Sequence, residues 1–437
     1  MTQNKYYLQC TECKHITPNF QAWFAQNQAC PDCGSKHSEV WYNTDYAQIP
    51  QIFKGDVESI WDYFDFLPLN NRENIISRKE GGIPLEQWGF LEKYAKEKFG
   101  INITVNVYRN DLSGGTGTFK DVAASLAASV FKEHGIEQYC VASTGNTANA
   151  FAMYLSIAGV NCSVFIPENS FKSVEASISA YGQQVVRVKG DYARAKAVGA
   201  DYAKKYNILS STGNIDPLRV EAKKIMVFEW LRMKGKMPDV YIQAVSGGTA
   251  PIALEKGIRE VKPLFPEITT PRMILVQPDK CDPMVQAWEK AQNEGFPNGF
   301  EKNYPVIDNP QTCVPILSTG NPGSYPVVAK LVKKSNGTFI RTSEEKLADF
   351  GRLIAFESKV MLGPASAVCV AGFFDALRKG LIKNGETVLL NVGEGVRCAP
   401  QFVEQMTYTT KNVESVEECS PHTIQSYSKQ LWNAIEK

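Results

Sequence analysis

The chain has 437 residues, of which 43% are hydrophobic and 21% charged. That is enough apolar material for a large core and more than one domain. Forty-seven Lys and Arg against forty-six Asp and Glu leave a formal charge of +1, which argues against nucleic acid or an anionic membrane as partner.

The amino terminus is polar, with no apolar signal core, and no apolar run is long enough to span a bilayer. Residues 1 to about 45 read as a separate zinc-ribbon module. Cys10-x-x-Cys13 and Cys30-x-x-Cys33 lie sixteen residues apart. Each pair places two thiolates on one turn, and four thiolates at tetrahedral spacing suit a structural zinc. An iron–sulfur centre or a redox pair remains the alternative. Tyr6, Tyr7, Leu8, Val40 and Trp41 are the short strands expected around such a site. The other seven of the 11 cysteines (Cys140, Cys162, Cys281, Cys313, Cys369, Cys398, Cys419) are scattered. That usage fits the reduced thiols of a cytoplasmic protein better than a disulfide framework.

The segment Ile60–Pro68, I-W-D-Y-F-D-F-L-P, is dense in aromatics and is expected to pack on the main body. A turn at Gly81–Leu85 leads to an expected helix over Glu86–Phe99, then a strand over Ile103–Tyr108. Next comes the loop Ser113–Asp121, S-G-G-T-G-T-F-K-D. Its glycines allow a tight bend around a ligand. Lys120 stands where a helix should begin, with Asp121 and an alanine-rich run beyond it. The positive end of a helix disfavours a charged amine, which suits a Schiff-base lysine.

From there strands and helices alternate. Strands are expected at 139–142, 163–166, 184–188, 240–245, 273–277 and 388–392. Helices are expected at 122–134, 147–157, 171–181, 192–206, 218–233, 344–357 and 365–378. This alternation predicts an open α/β architecture. Residues 279–330, rich in Pro, Gly and Asn, read as long loops, and the tail beyond Gln401 carries no clear pattern.

Two further loops follow strands. Ala142–Thr147, A-S-T-G-N-T, can hold a carboxylate or phosphate at a helix start, and Asn146 can donate to a ring oxygen. Ala244–Ala250, A-V-S-G-G-T-A, is a second anion cradle that matches neither a Walker loop nor a Rossmann fingerprint. Asn391–Arg397 ends a third strand. No G-x-S-x-G or H-E-x-x-H occurs, and the four histidines (His15, His37, His134, His422) lie outside every glycine-rich loop. Lys120 is the remaining candidate for covalent chemistry.

Taken together, S-G-G-T-G-T-F-K-D, A-S-T-G-N-T and S-G-G-T-A resemble the pyridoxal-phosphate enzymes of fold type II, over roughly residues 50–400. The resemblance is to the threonine synthase family, with the ribbon and the W-D-Y-F-D-F-L-P segment resembling cysteate synthase in particular. It implies a tryptophan synthase β-like α/β fold with two open domains and the cofactor between them. A core over 46–400 would hold a smaller subdomain at roughly 125–220, and 401–437 would be an extension. It implies a homodimer and a small phosphorylated amino acid as substrate.

By position, Lys120 would carry the cofactor and shuttle the Cα proton, and Phe119 would pack near the ring. Asn146 would bond the 3′ oxygen. Ser143, Thr144, Gly145 and Thr147 would hold the substrate carboxylate. Val245, Ser246, Gly247, Gly248 and Thr249 would cradle the cofactor phosphate. The family's pyridine-facing threonine, within T-G-H-G, is replaced here by Val392-Gly393-Glu394-Gly395. Valine cannot make that hydrogen bond, so Glu394 is the other candidate at this edge.

The resemblance implies phosphohomoserine conversion to threonine first, and replacement of phosphoserine phosphate by sulfite or another nucleophile second. A non-catalytic amino-acid or phosphate sensor is the alternative of a different class. The substrate phosphate needs its own donors, for which Lys172, Arg187, Arg219, Lys223 and Arg397 are candidates.

Overall fold

The computed structural model describes residues 4–43, 55–143, 145–407 and 409–436. Three sheets organise them. In the first, Tyr6–Cys10 pairs antiparallel with Ile16–Thr17 on one side and Ser38–Tyr42 on the other. Both longer strands alternate buried and half-buried positions, the pattern of a sheet with one face packed. Inward go Tyr6, Leu8, Val40 and Tyr42.

This small sheet has no closed core of its own. Its apolar face, with Phe20, Trp23 and Phe24 from the helix Phe20–Ala25, belongs to the same core cluster as the main body. Phe24 meets Phe131 edge-on at 5.6 Å between ring centroids. The aromatic segment forms a 3-10 helix over Ile60–Phe66, capped reciprocally by Ser59 and Asp62. It packs as its composition predicts: Phe66 meets Phe228 at 4.9 Å, and the Trp61 indole N–H donates to buried Glu80 at 3.0 Å.

The second sheet has six strands in the order Thr338–Thr342, Arg272–Pro278, Val240–Ala244, Thr387–Val392, Thr104–Arg109 and Leu85–Gln87. The first five are parallel; the last is antiparallel at the edge. Central strands such as V-Y-I-Q-A and T-V-L-L-N-V are near-continuously buried, because helices cover both faces. The third sheet is parallel, in the order Gln184–Val188, Asn161–Pro167, Gln138–Ala142 and Leu209–Ser210.

The expected alternation holds to within a few residues at most elements. Three expectations change. Glu86 and Gln87 are not helical: they lie in the edge strand, the Trp88 N–H donates to the Val105 carbonyl, and the helix begins at Gly89. Residues 279–330 hold the helix Pro283–Asn293, and Tyr325–Lys334 starts within their end. The tail carries the helix Ile424–Glu436, which buries Leu431 and Ile435 and stacks Trp432 on Tyr94 at 5.3 Å. Among the described residues no helix is long and apolar enough to cross a membrane.

Candidate active site

The two larger sheets point the carboxyl ends of their strands at one cavity of about 520 Å³. That is where open parallel sheets bind ligands. Four strand-end loops meet there, joined by the segment 210–215 and by residues around Thr319.

The first loop follows Thr104–Arg109 and ends on Lys120, immediately before the helix Asp121–Glu133. Asp121 turns back to hold it. Its carboxylate accepts from the Thr116 N–H and hydroxyl, both at 2.8 Å, and from the Thr118 N–H at 2.7 Å. Gly115 has φ +92°, and a Cβ there would meet the Tyr154 hydroxyl at 2.6 Å, so only glycine fits the bend. Lys120 lines the cavity base. Burial pushes its amine below the ordinary range; Glu394 opposes this, and Arg219 reinforces it. A neutral amine is the form that attacks a carbonyl.

The second loop follows Gln138–Ala142. Ser143, Gly145, Asn146 and Thr147 line the cavity, while Thr144 lies outside the described residues. The Ser143 oxygen accepts from the N–H groups of Gly145 at 3.3 Å and Ala148 at 3.1 Å, which leaves its own proton for an occupant. Asn146 sends one amide N–H to Glu394, and its buried Oδ1 has no partner among the described residues. The amide thus keeps one N–H and one oxygen for a guest.

The third loop, Val245–Thr249, lines the cavity throughout and opens the helix Thr249–Val261. Gly248 has φ +83°, and a Cβ on Gly247 would sit 1.7 Å from Asn214 Nδ2. The backbone N–H groups at this helix start form an anion cradle.

The fourth loop departs from expectation. Val392 does not line the cavity: its side chain is in the apolar core, and its carbonyl accepts from Asn110 at 2.9 Å. As the last residue of an interior strand it points into the sheet's packing. The lining begins at Gly393 and Glu394. Glu394 is 1% exposed, and both its oxygens are engaged, one by Asn146 and one by the Ala365 N–H at 2.9 Å. Burial raises its pKa, against the pull of Asn146, the Ala365 N–H and Lys120. The Phe119 N–H donates to the Gly393 carbonyl at 2.9 Å, tying the first loop to the fourth.

The five candidate phosphate donors separate cleanly. Arg219 and Lys223 line the cavity. The Arg219 Nη2 donates to the Ser211 hydroxyl at 2.7 Å, its guanidinium lies 4.9 Å from the Phe151 ring centroid, and its Nε has no partner among the described residues. Lys223 lies 5.2 Å from the Phe119 ring centroid. Lys172 pairs with Glu175 at 3.2 Å on the surface, Arg187 pairs with the same carboxylate at 2.7 Å, and Arg397 does not reach the lining. Asn214, Ile316, Thr319 and Lys36 line the cavity without a motif to announce them, and Tyr192 joins them.

The lining carries five basic side chains (Lys36, Lys120, Lys196, Arg219, Lys223) against one acidic one, Glu394. No histidine is among them. Such a cavity suits an occupant with several negative charges.

In the ribbon, the sulfurs of Cys10, Cys13, Cys30 and Cys33 all lie within 4.8 Å of one another. Cys10 and Cys33 are 3.6 Å apart, and Cys13 and Cys30 are 3.4 Å apart. A tetrahedral zinc with ~2.3 Å bonds needs sulfurs about 3.8 Å apart, so the four thiols fit one.

Two α/β layers closing on a lysine, an asparagine and a glycine-rich cradle define the fold type II architecture of pyridoxal-phosphate enzymes. The chain belongs to the pyridoxal-phosphate dependent enzyme family, whose family model matches residues 76–393. Threonine synthase of Methanocaldococcus jannaschii is 28% identical over 343 residues, covering 77% of this chain and 80% of that one. Threonine synthase of Methanosarcina acetivorans is 26% identical over 423 residues, covering 94% and 98%. Among solved structures, an L-serine ammonia-lyase from Rhizomucor miehei superposes with a TM-score of 0.61 at 15% identity, over 75% of this chain and 98% of that one. A threonine deaminase from Solanum lycopersicum gives 0.57 at 17%, over 74% and 82%. Family and fold make the reaction a PLP-dependent elimination or replacement on a small amino acid.

Proposed function

We propose that the chain acts on an amino acid whose side chain carries phosphate, releasing that phosphate as threonine synthase does. The observation that carries this reading is the pair Arg219 and Lys223. Two anion sites, at Ser143–Thr147 and Ser246–Thr249, are accounted for by a substrate carboxylate and the cofactor phosphate. Arg219 and Lys223, which have no ion pair to a carboxylate among the described residues, face the same cavity, so a third anion completes it.

The residues suit the cofactor. Lys120 would hold its aldehyde carbon, the spare Asn146 amide N–H its 3′ oxygen, and the Val245–Thr249 loop its phosphate. When bound, pyridoxal phosphate supplies the electron sink for charge developing at the substrate Cα. Lys120, once displaced, moves the proton at Cα. Arg219 and Lys223 orient the leaving phosphate and offset its charge as the bond to the side chain breaks.

The first reading is conversion of O-phosphohomoserine and water to threonine and phosphate, which the named relatives support. The second is conversion of O-phosphoserine and sulfite to cysteate and phosphate. It is favoured by the fourth loop: Val392 is in the core and Glu394 is engaged by Asn146 and Ala365, so this edge offers no free hydroxyl. Measuring phosphate and amino-acid products from each substrate set tests both. Threonine supports the first, cysteate the second. Phosphate release from neither overturns the phosphorylated-substrate reading. Borohydride reduction and peptide mapping should label Lys120; a label on another lysine removes it from its role.

A further inference from the structure

We propose that the ribbon completes the catalytic cleft: Lys36 is a specificity-determining cation at the cleft mouth that draws in the substrate's side-chain anion. This rests on the phosphorylated-substrate reading. Among the described residues, Lys36 is the one ribbon residue that lines the cavity. It lies outside the matched family region, which begins at residue 76.

The loop carrying Lys36 is fixed on both sides. The Cys30 N–H donates to the Ser35 carbonyl at 2.8 Å, and the Thr11 N–H and hydroxyl both reach the His37 carbonyl at 3.1 Å. These bonds fasten Ser35 and His37 to the two cysteine turns, so closure of the four-thiol cluster sets where Lys36 stands.

The ribbon is in turn locked to the catalytic body. Arg259 donates to both Glu39 oxygens, at 2.8 and 3.0 Å, and the Tyr42 hydroxyl donates to Glu221 at 2.6 Å. Arg259 and Glu221 lie on the helices Thr249–Val261 and Pro217–Lys234. The amino-terminal ends of those helices supply Thr249, Arg219 and Lys223 to the cavity. Ribbon and site are therefore positioned by the same two rods.

Lys36 is exposed and makes no hydrogen bond or ion pair among the described residues. Lys196 is the other exposed basic side chain of the lining, so these two make the outer pair, and the buried Arg219 and Lys223 make the inner one. Same-sign charge lining a cleft raises the local concentration of an anionic ligand and speeds its arrival. The outer pair selects a charged side chain over an uncharged one before the inner pair binds it.

The test uses the full-length holoenzyme and the variants K36A and K36E, with K93A as an exposed control away from the cavity. The phosphorylated amino acid that the wild type turns over is assayed at low and high salt. Binding of inorganic phosphate is measured separately by calorimetry. K36A should raise KM about two- to fivefold at low salt, the range of an exposed charge contact, and K36E more. The effect should shrink as salt rises. Phosphate affinity should fall in parallel, and K93A should match the wild type. Unchanged KM and unchanged phosphate affinity in K36E overturn the proposal while leaving the substrate reading intact. If no phosphorylated amino acid is turned over, yet K36E weakens phosphate binding, the substrate reading fails and the contribution of the ribbon stands. If the wild type neither turns over a phosphorylated amino acid nor binds phosphate, both fail.

Discussion

Lys223 and Lys224 are adjacent on the helix Pro217–Lys234, and both are buried, yet they face opposite surroundings. Lys224 points under the ribbon, where Glu221 and Glu260 hold it, the latter at 2.7 Å; Lys256 joins the same carboxylates, and the Tyr42 hydroxyl caps Glu221. Lys223 points into the cleft. Burial pushes its amine far down, Lys120 and Arg219 push it further, and Asp216 answers only weakly. One lysine sits in a closed set of charges and the other in an open one. A buried amine is costly to ionise without its anion, so the open set marks where a ligand supplies the missing charge, and the closed set marks scaffold.

Four measurements put that contrast to the test. The largest effect belongs to the open set's nucleophile: K120A should lose at least ~10³-fold in turnover and all borohydride labelling. Next, the two neighbours should part company. K224M leaves Glu221 and Glu260 short of a cation and should cost about 3–5 kcal/mol in urea unfolding. K223M should leave the cofactor-free protein as stable or more so, and instead raise KM for the phosphorylated substrate about tenfold. Equal destabilisation by both variants would dissolve the distinction.

Third comes Asp121, buried behind Lys120, whose pKa rises from 3.8 to about 7 because burial outweighs its hydrogen bonds. The folded state binds that proton more tightly than the unfolded one. Stability from this group is therefore present below pH 3.8 and is lost as pH rises to about 7. In D121N that decline should flatten in denaturation curves taken across the interval; an unaltered slope removes Asp121 as its source. The smallest effect is at the ribbon. About one zinc per chain should be found by elemental analysis. Removing it with a chelator should loosen the Tyr6–Cys10 sheet, read by hydrogen exchange, before the α/β body responds.

Much of this was legible in the chain because parallel strands buried on both faces are apolar runs, and the crossover helices are long. The three glycine-rich loops were legible for a local reason: a turn that receives an anion needs glycine or hydroxyl residues in consecutive positions. Two helices escaped because Pro283 and Pro326 read as breakers, whereas proline at a helix's first positions gives up no internal hydrogen bond. The choice of Arg219 and Lys223 over Lys172 and Arg187 was not legible. It depends on which face of a helix meets a cavity formed by residues far away in sequence. Val392 misled because its neighbour Gly393 does reach the lining, and strand residues alternate sides.

The shared core of ribbon and body sets where this chain can be cut. Trimming it to the family-matched region would strip Tyr6, Leu8, Phe20, Trp23, Phe24, Val40 and Tyr42 from a cluster that includes Phe131 and Phe228. It would also take Tyr42 away from Glu221. The exposed patch would be a sticky one, prone to self-association. The ribbon is synthesised before the body, so its aromatic face waits for a partner surface made some ninety residues and more later. A protease that nicks between ribbon and body would therefore leave two fragments still bound together.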